Sequence, residues 1–390
     1  MMSIKLHSVI ILLNTAFALN AQKSPAPTQD IPPVLKINSP APDFSLPGTD
    51  GATHSLADYA SSKVLAVVFT CNHCPASENY ERRIKSLAAD FGDRGVAVIA
   101  ISPTDPKSLK PGDLRYSDVG DTLAEMKIRA QYREFNFTYL FDGDTQAVAR
   151  KFGPVATPHV FIFDQERKLR YQGRLDDSQV AALAAKHEAK DAIVALLAGS
   201  AVKVESTPVV GCAVNWTVKT SAAAADAGTA STEPARVEMA GIDQIKELRR
   251  NTTKKFLLVN FWATWCAPCE DEFPQVQSIY RTYRQRPFDV VMVSTNDPDD
   301  KEGVLKFLNQ QHAVTRNYLF NVADPIDIIA AFGADFNGGV PFTVLLAPDG
   351  RVIYEKLGEI DSLELRRLIL KNLPDDPQHP GTKDYWNSSF

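Results

Sequence analysis

Five cysteines occur in the chain, and four of them stand as two Cys-x-x-Cys pairs, Cys71-Asn-His-Cys74 and Cys266-Ala-Pro-Cys269. Each pair follows a short apolar run rich in β-formers, Lys63 to Thr70 before the first and Phe256 to Trp262 before the second. Each also opens a helical pattern. The first cysteine then lies at a helix N-terminus, where unpaired N–H groups and the helix dipole stabilise a thiolate. A thiolate is the nucleophile of thiol–disulfide exchange, and a second cysteine one turn on can attack the mixed disulfide that results. The pattern points to redox catalysis by Cys71, Cys74, Cys266 and Cys269, with Cys71 and Cys266 as the more exposed, attacking thiols. A zinc site built from two such knuckles needs them about 15–20 residues apart. Here they lie in opposite halves of the chain, so no metal is expected. A structural disulfide gains by closing a long loop, and a two-residue gap closes almost none.

The elements that must hold these residues repeat in the same order. Beyond Cys74, Tyr80, Ile84, Leu87, Ala88 and Phe91 recur at helical spacing; beyond Cys269, Phe273, Val276, Ile279, Tyr280 and Tyr283 do the same. In the first unit Val96 to Ile101 reads as a strand, Asp121 to Arg133 as a helix, and Val160 to Phe163 with Leu169 to Tyr171 as a hairpin. Asp177 to Leu197 reads as a closing helix. In the second, Val290 to Ser294 is a strand, Phe342 to Leu346 pairs with Val352 to Glu355, and Leu363 to Leu370 is the last helix. Strands separated by helices imply, in each unit, a central sheet with helices on both faces. The fold class is α/β.

A chain of 390 residues exceeds one ordinary core. With 44% apolar and 23% charged residues it has the composition of a globular protein. A net charge of −5 without a basic block excludes a nucleic-acid surface. Lys5 and the apolar stretch Val9 to Leu19 read as a signal peptide, residues 1–21, which implies export, with the periplasm as the expected compartment. No Cys stands near the cut, which excludes a lipid anchor there, and no later run is long enough to span a membrane. Residues 22–38 are a Pro-rich lead, of which Gln22 to Pro33 are expected to be an extended tether; 39–216 are the first domain, 217–236 a flexible linker, and 237–373 the second domain. The tail, 374–390, is expected to be loosely ordered. No Gly-rich nucleotide fingerprint opens a helix, so no nicotinamide or flavin, and no other cofactor, is expected.

The second unit resembles the ResA/TlpA branch of bacterial extracytoplasmic thioredoxin-like proteins, through Phe261-Trp-Ala-Thr-Trp-Cys-Ala-Pro-Cys-Glu-Asp-Glu-Phe-Pro274 and Val340-Pro341. That resemblance implies Cys266 as nucleophile, Cys269 as resolving thiol, and an active-site carboxylate at Glu272. Three residues past Cys269, a Glu can reach back toward the sulfurs and move protons; the alternative is a solvated carboxylate that favours the helix terminus. The first unit resembles the redoxin, or AhpC/TSA-like peroxiredoxin-like, group through Ala41-Pro-Asp-Phe-Ser-Leu46, Phe69-Thr-Cys-Asn-His-Cys-Pro75, Thr157-Pro158, Gly173-Arg-Leu-Asp-Asp177 and Gly211-Cys-Ala-Val-Asn-Trp216. It departs from true peroxiredoxins, whose peroxidatic Cys follows a Pro and a Thr at fixed spacing. Val64 and Val68 hold those positions before Cys71, and Val67 and Cys71 before Cys74. Together the resemblances imply two thioredoxin-like domains in tandem, each a central mixed sheet flanked by helices.

Pro158 and Pro341 are of either isomer on the residues alone; the resemblance implies cis prolines facing the cysteines. Thr157, Pro158, Val340 and Pro341 would then border a strand edge that pairs with a substrate peptide, and Trp265 would edge the same surface. His73, inside the first pair, is placed as in strongly oxidising disulfide oxidoreductases, where an imidazolium stabilises the reduced form. Cys212 is either a buried small apolar residue or a third redox thiol that reaches Cys71 or Cys74. Expected partners are proteins bearing disulfides or thiols and an external donor or acceptor of electrons. The expected function is extracytoplasmic thiol–disulfide exchange. The rivals are a thiol peroxidase in the first domain and a metal- or haem-handling thiol chaperone. His73 would make the first site an oxidant and Ala267-Pro268 leave the second a reductant, so electrons would pass from second to first if the linker lets them meet; otherwise the domains act independently.

Overall fold

A computed structural model describes residues 31–217, 234–321, 325–332 and 338–388. The expected signal peptide and residues 218–233 of the expected linker lie outside the described residues.

In the first domain β1 (Ser45–Pro47) and β2 (Thr53–Ser55) pair as a hairpin. There follow β3 (Val64–Phe69), α1 (Pro75–Phe91), β4 (Val96–Ser102), α2 (Leu123–Tyr132), β5 (Thr138–Phe141) and α3 (Ala147–Phe152). β6 (Ala156–Thr157), β7 (His159–Phe163), β8 (Leu169–Gly173), α4 (Glu188–Leu197) and β9 (Cys212–Ala213) complete it. The main sheet has the order β5-β4-β3-β7-β8, with β5, β4 and β3 parallel and β7 and β8 antiparallel.

The second domain runs β10 (Glu238–Ala240), α5 (Ile242–Arg250), β11 (Phe256–Trp262), α6 (Ala267–Tyr283), β12 (Phe288–Ser294), α7 (Lys301–Gln310) and β13 (Arg316–Phe320). It continues with α8 (Pro325–Phe332), β14 (Phe342–Leu346), β15 (Val352–Leu357) and α9 (Ser362–Asn372), and α10 (Thr382–Asn387) ends the described chain. Its sheet order, β10-β13-β12-β11-β14-β15, is that of the first domain with one parallel strand added at the edge. Both halves are the mixed, helix-flanked sheet expected of a thioredoxin-like domain.

The central strands read as unbroken apolar runs because helices cover both faces. Successive side chains point to opposite sides of a sheet. Leu65, Val67 and Phe69 meet Phe152, Phe161 and Phe163, whereas Val64, Ala66 and Val68 meet Tyr80, Ile84 and Leu87 of α1 and Ile193 of α4. In the second domain Leu257, Val259 and Phe261 pack on Ile245, Leu248 and Phe332, and Leu258 and Trp262 on Phe273, Val276 and Ile279 of α6.

Three expectations need correction. The closing helix starts at Glu188, not Asp177, because the Asp177 carboxylate accepts from the N–H groups of Ala185 and Lys186 and holds the preceding segment as a loop. The first domain begins before Ser39, at the end of the Pro-rich lead: Leu35 N donates to Phe152 O and Asn38 N to Leu169 O, both at 2.8 Å, with Val34, Leu35 and Ile37 packed on the core. The tail is not loose either. Trp386 is buried and its Nε1 donates to Tyr116 O at 3.0 Å, which ties α10 to the first domain.

That tail is part of an interface between the domains. Arg129, wholly buried, meets Glu78 (3.1 Å), Glu81 (3.0 Å) and Asp118 (2.8 Å). From the second domain Arg367 Nε donates to Asp118 at 2.7 Å, and Tyr283 Oη to Ser117 O at 2.9 Å. The Tyr385 hydroxyl accepts from Arg129 (2.7 Å) and Arg133 (2.8 Å) and donates to Glu81 (2.6 Å). Burial pushes the Glu78 carboxyl up to about 8, against the pull of Arg129. Each of these arginines lies against at least one carboxylate, which offsets part of the cost of burying the charge.

Candidate active sites

Cys266 caps α6, and its sulfur accepts from the Cys269 N–H at 3.3 Å, a first-turn donor that also reaches the Cys266 carbonyl at 3.0 Å. Cys266 and Cys269 are joined as a disulfide. Pro268 sits in the first turn, where its missing N–H costs nothing. The preceding loop is fixed by Asn296, which accepts from Thr264 N at 3.0 Å and donates to Thr264 Oγ1 at 2.5 Å. Trp265 is 68% exposed, while Trp262 stacks edge-on against Phe273 in the core. Val340–Pro341 is cis. Both cysteines are buried, Cys266 at 5% exposure and Cys269 at 1%, so the thiol expected to attack is only slightly the more open one.

Glu272 is buried, not solvated. Its Oε1 accepts from Asn260 Nδ2 at 2.7 Å and its Oε2 from Ile360 N at 3.0 Å. Burial raises its pKa, opposed by those two hydrogen bonds. Such a carboxyl, one turn past Cys269 and able to change protonation, is equipped to move a proton.

The first site differs from a plain pair. Cys74 caps α1 and is bonded to Cys212, and Cys71 is a buried free thiol. The expected Cys71–Cys74 partnership is thus replaced, and Cys212 is neither free nor fully buried. Thr157 receives both neighbours: its Oγ1 lies 3.2 Å from Cys71 Sγ and its carbonyl oxygen 3.3 Å from Cys74 Sγ. Thr157–Pro158 is cis. Asp121 gathers the loop between the cysteines, accepting from Asn72 N at 2.7 Å and from His73 Nδ1 at 2.5 Å. Asn72 also donates to Gly120 O at 2.6 Å and accepts from Tyr139 Oη at 3.2 Å. Burial works against the His73 cation, but Cys71 and Asp121 outweigh it and hold the imidazole well above its usual pKa. Among the described residues, the donor atoms of Cys71, His73 and Asp121, all within 4.8 Å of one another, are the set that could hold a metal ion. The His73–Asp121 hydrogen bond already occupies Nδ1, so the cluster also reads as a thiol, an imidazolium beside it and the carboxylate that orients the ring.

Residues 37–172 match the AhpC/TSA family and residues 229–367 the Redoxin family. The chain carries two redoxin-family domains in tandem. Thiol-disulfide oxidoreductase ResA of Bacillus anthracis is 31% identical over 124 residues, which make up 31% of this chain and 65% of the relative. Thiol:disulfide interchange protein CycY of Rhizobium leguminosarum bv. viciae is 27% identical over 121 residues, 29% of this chain and 55% of the relative. The chain thus spans less than two thirds of the length of these curated relatives. A solved structure of a hypothetical protein from Sinorhizobium meliloti 1021 is 29% identical, covering 47% of this chain and 97% of that one at a TM-score of 0.43.

Several site residues of the two domains were not singled out from sequence. In the AhpC/TSA domain Asp121 reads as an ordinary acidic residue at the start of a helix, and it meets His73 only through the fold, 48 positions away. In the Redoxin domain Asn260 carries a readable signal: it is the one polar residue within Phe256–Trp262. It takes the α6-facing place between Leu258 and Trp262, where an unpaired amide would be costly.

Proposed function

We propose that the chain is an extracytoplasmic thiol–disulfide oxidoreductase that exchanges disulfides with protein partners through two cysteine sites and depends on an external donor or acceptor of electrons. The observation that carries the reading is the Cys266–Cys269 disulfide in the first turn of α6, with Glu272 buried on the same helix. In the reducing direction, the Cys266 thiolate attacks one sulfur of a client disulfide; a Cys266–client bond forms and one client thiolate leaves. Glu272 takes the Cys269 proton, Cys269 attacks Cys266, and the second client thiolate departs and is protonated. Trp265 offers the client an exposed apolar ring beside the sulfurs. The apolar stretch Val9 to Leu19 supports export, and among the described residues no helix is long and apolar enough to cross a membrane.

The test is turbidimetric reduction of insulin by the chain with limiting dithiothreitol. Precipitation should run well ahead of dithiothreitol alone, and Cys266→Ser should remove the second site's share. Equal rates with and without the protein would overturn the reading. Peroxide consumption outrunning insulin reduction would favour a peroxidase instead.

A further inference from the structure

β9 brings Cys212 to the first site by main-chain pairing. Ala213 is opposite Ala156 and Cys212 opposite Thr157, the residue that contacts both Cys71 and Cys74. A client strand that carried its disulfide to these sulfurs would need the same hydrogen-bonding edge. The approach depends on Gly211, whose absent side chain would otherwise run into the Thr157 carbonyl. Three sulfurs therefore meet on one packed cluster, with the edge beside Pro158 filled by the chain itself.

We propose that the first site works with three thiols, Cys212 being a second resolving thiol that β9 delivers along the edge a protein client would occupy. The proposal rests on the thiol–disulfide reading above and deepens it. Starting from three thiols, with β9 displaced from the edge by the client strand, the Cys71 thiolate attacks a client disulfide, forms a Cys71–client bond and expels one client thiolate. Cys74 attacks Cys71, forming Cys71–Cys74 and expelling the second client thiolate. The Cys212 thiolate then attacks Cys74; Cys74–Cys212 forms, Cys71–Cys74 breaks, and Cys71 leaves as a thiolate beside the His73 cation and takes up a proton. The client gains two electrons, and the protein ends with one disulfide and one thiol, the state observed. The last step moves the disulfide from two fully buried sulfurs to a pair whose outer member, Cys212, is half-buried and open to an external reductant.

The test uses the full chain with Cys266→Ser and Cys269→Ser, so that only the first site is read. After stoichiometric oxidation by a disulfide peptide and acid quenching, free thiols are alkylated and the linked peptides mapped by mass. The expected product is a Cys74–Cys212 peptide with alkylated Cys71, preceded in time by Cys71–Cys74. Cys212→Ser should stop at Cys71–Cys74, and its turnover with a thiol reductant should fall at least tenfold. Gly211→Val keeps all three thiols but displaces β9, and it should slow formation of Cys74–Cys212 to the same degree. A terminal Cys71–Cys74 bond with alkylated Cys212 in the unaltered site would overturn the three-thiol proposal while leaving exchange intact. No oxidation by the peptide at all would overturn exchange at the first site, and the three-thiol proposal with it, while the exchange reading stands or falls on the insulin assay of the second site.

Discussion

The Asn260 amide spans Glu272 and Thr343, donating to Oε1 of the first at 2.7 Å and to Oγ1 of the second at 2.9 Å. It ties a buried carboxyl of α6, the helix that carries the cysteines, to the adjacent strands β11 and β14 of the Redoxin sheet. A carboxyl whose pKa is raised by folding binds its proton more tightly in the folded chain. Its contribution to stability is then full below the unfolded value and is lost as pH climbs through the folded one.

From this follows the expectation for Glu272→Gln. The substitution keeps the size and one of the two acceptor oxygens but removes the base, so exchange at the second site should slow by about a hundredfold. The fold should survive, and stability should fall less between mildly acid and neutral pH than in the parent. Stopped-flow Trp fluorescence across pH and urea titrations at two pH values measure both. An unchanged pH–rate profile would reduce Glu272 to a structural group.

The tail leads to a second expectation. Trp386 is 2% exposed and packs where α10 joins the domains. Removing a buried Trp side chain typically costs about 3–5 kcal/mol, and here the loss falls on docking more than on either sheet. Trp386→Ala should therefore expand the molecule in small-angle scattering and split one unfolding transition into two. A single transition at the parent's midpoint would contradict the assignment.

What could be read from the residues is what short-range pattern controls. Strands covered on both sides are continuous apolar runs, helices keep their spacing, and a Cys-x-x-Cys between them fixes where sulfur meets a helix terminus. What escaped depends on long-range meetings. Asp121 looks like any residue before a helix, and Cys212 has no local pattern that separates a buried apolar cysteine from a partner of Cys74. The tail misled for another reason: its Pro and Asp content outweighed Tyr385 and Trp386, the two residues that anchor it.

His73 and Asp121 give the third expectation. With Asp121 in place the imidazole keeps its proton above the usual histidine range; in Asp121→Asn one of the two supporting charges is gone and burial pulls the other way. NMR titration should show His73 losing its proton at lower pH in the variant. Because the cation favours the reduced site, the variant's potential should fall at neutral pH, by about 30 mV for each ~1.4 kcal/mol of lost interaction. An unmoved potential would make His73 a bystander.

The last expectation concerns electron passage between the domains. Cys266 caps the N-terminus of α6, whereas Tyr283, at the end of the same 17-residue helix, meets Ser117 across the interface. At 1.5 Å per residue these points are about 25 Å apart. Cys74, by contrast, caps the helix whose early residues Glu78 and Glu81 belong to the interface. The docked arrangement therefore turns the second cysteine pair away from the first, and a sulfur of one cannot reach a sulfur of the other without undocking. Transfer from reduced Cys266/Cys269 to the oxidised first site should be second order, its rate rising with protein concentration as separate chains collide. Trp386→Ala, which frees the domains, should add a component independent of concentration. Quenched-flow alkylation over a hundredfold range of concentration separates the two cases. Concentration-independent transfer in the unaltered chain would restore the internal relay and refute the docked arrangement as the working state.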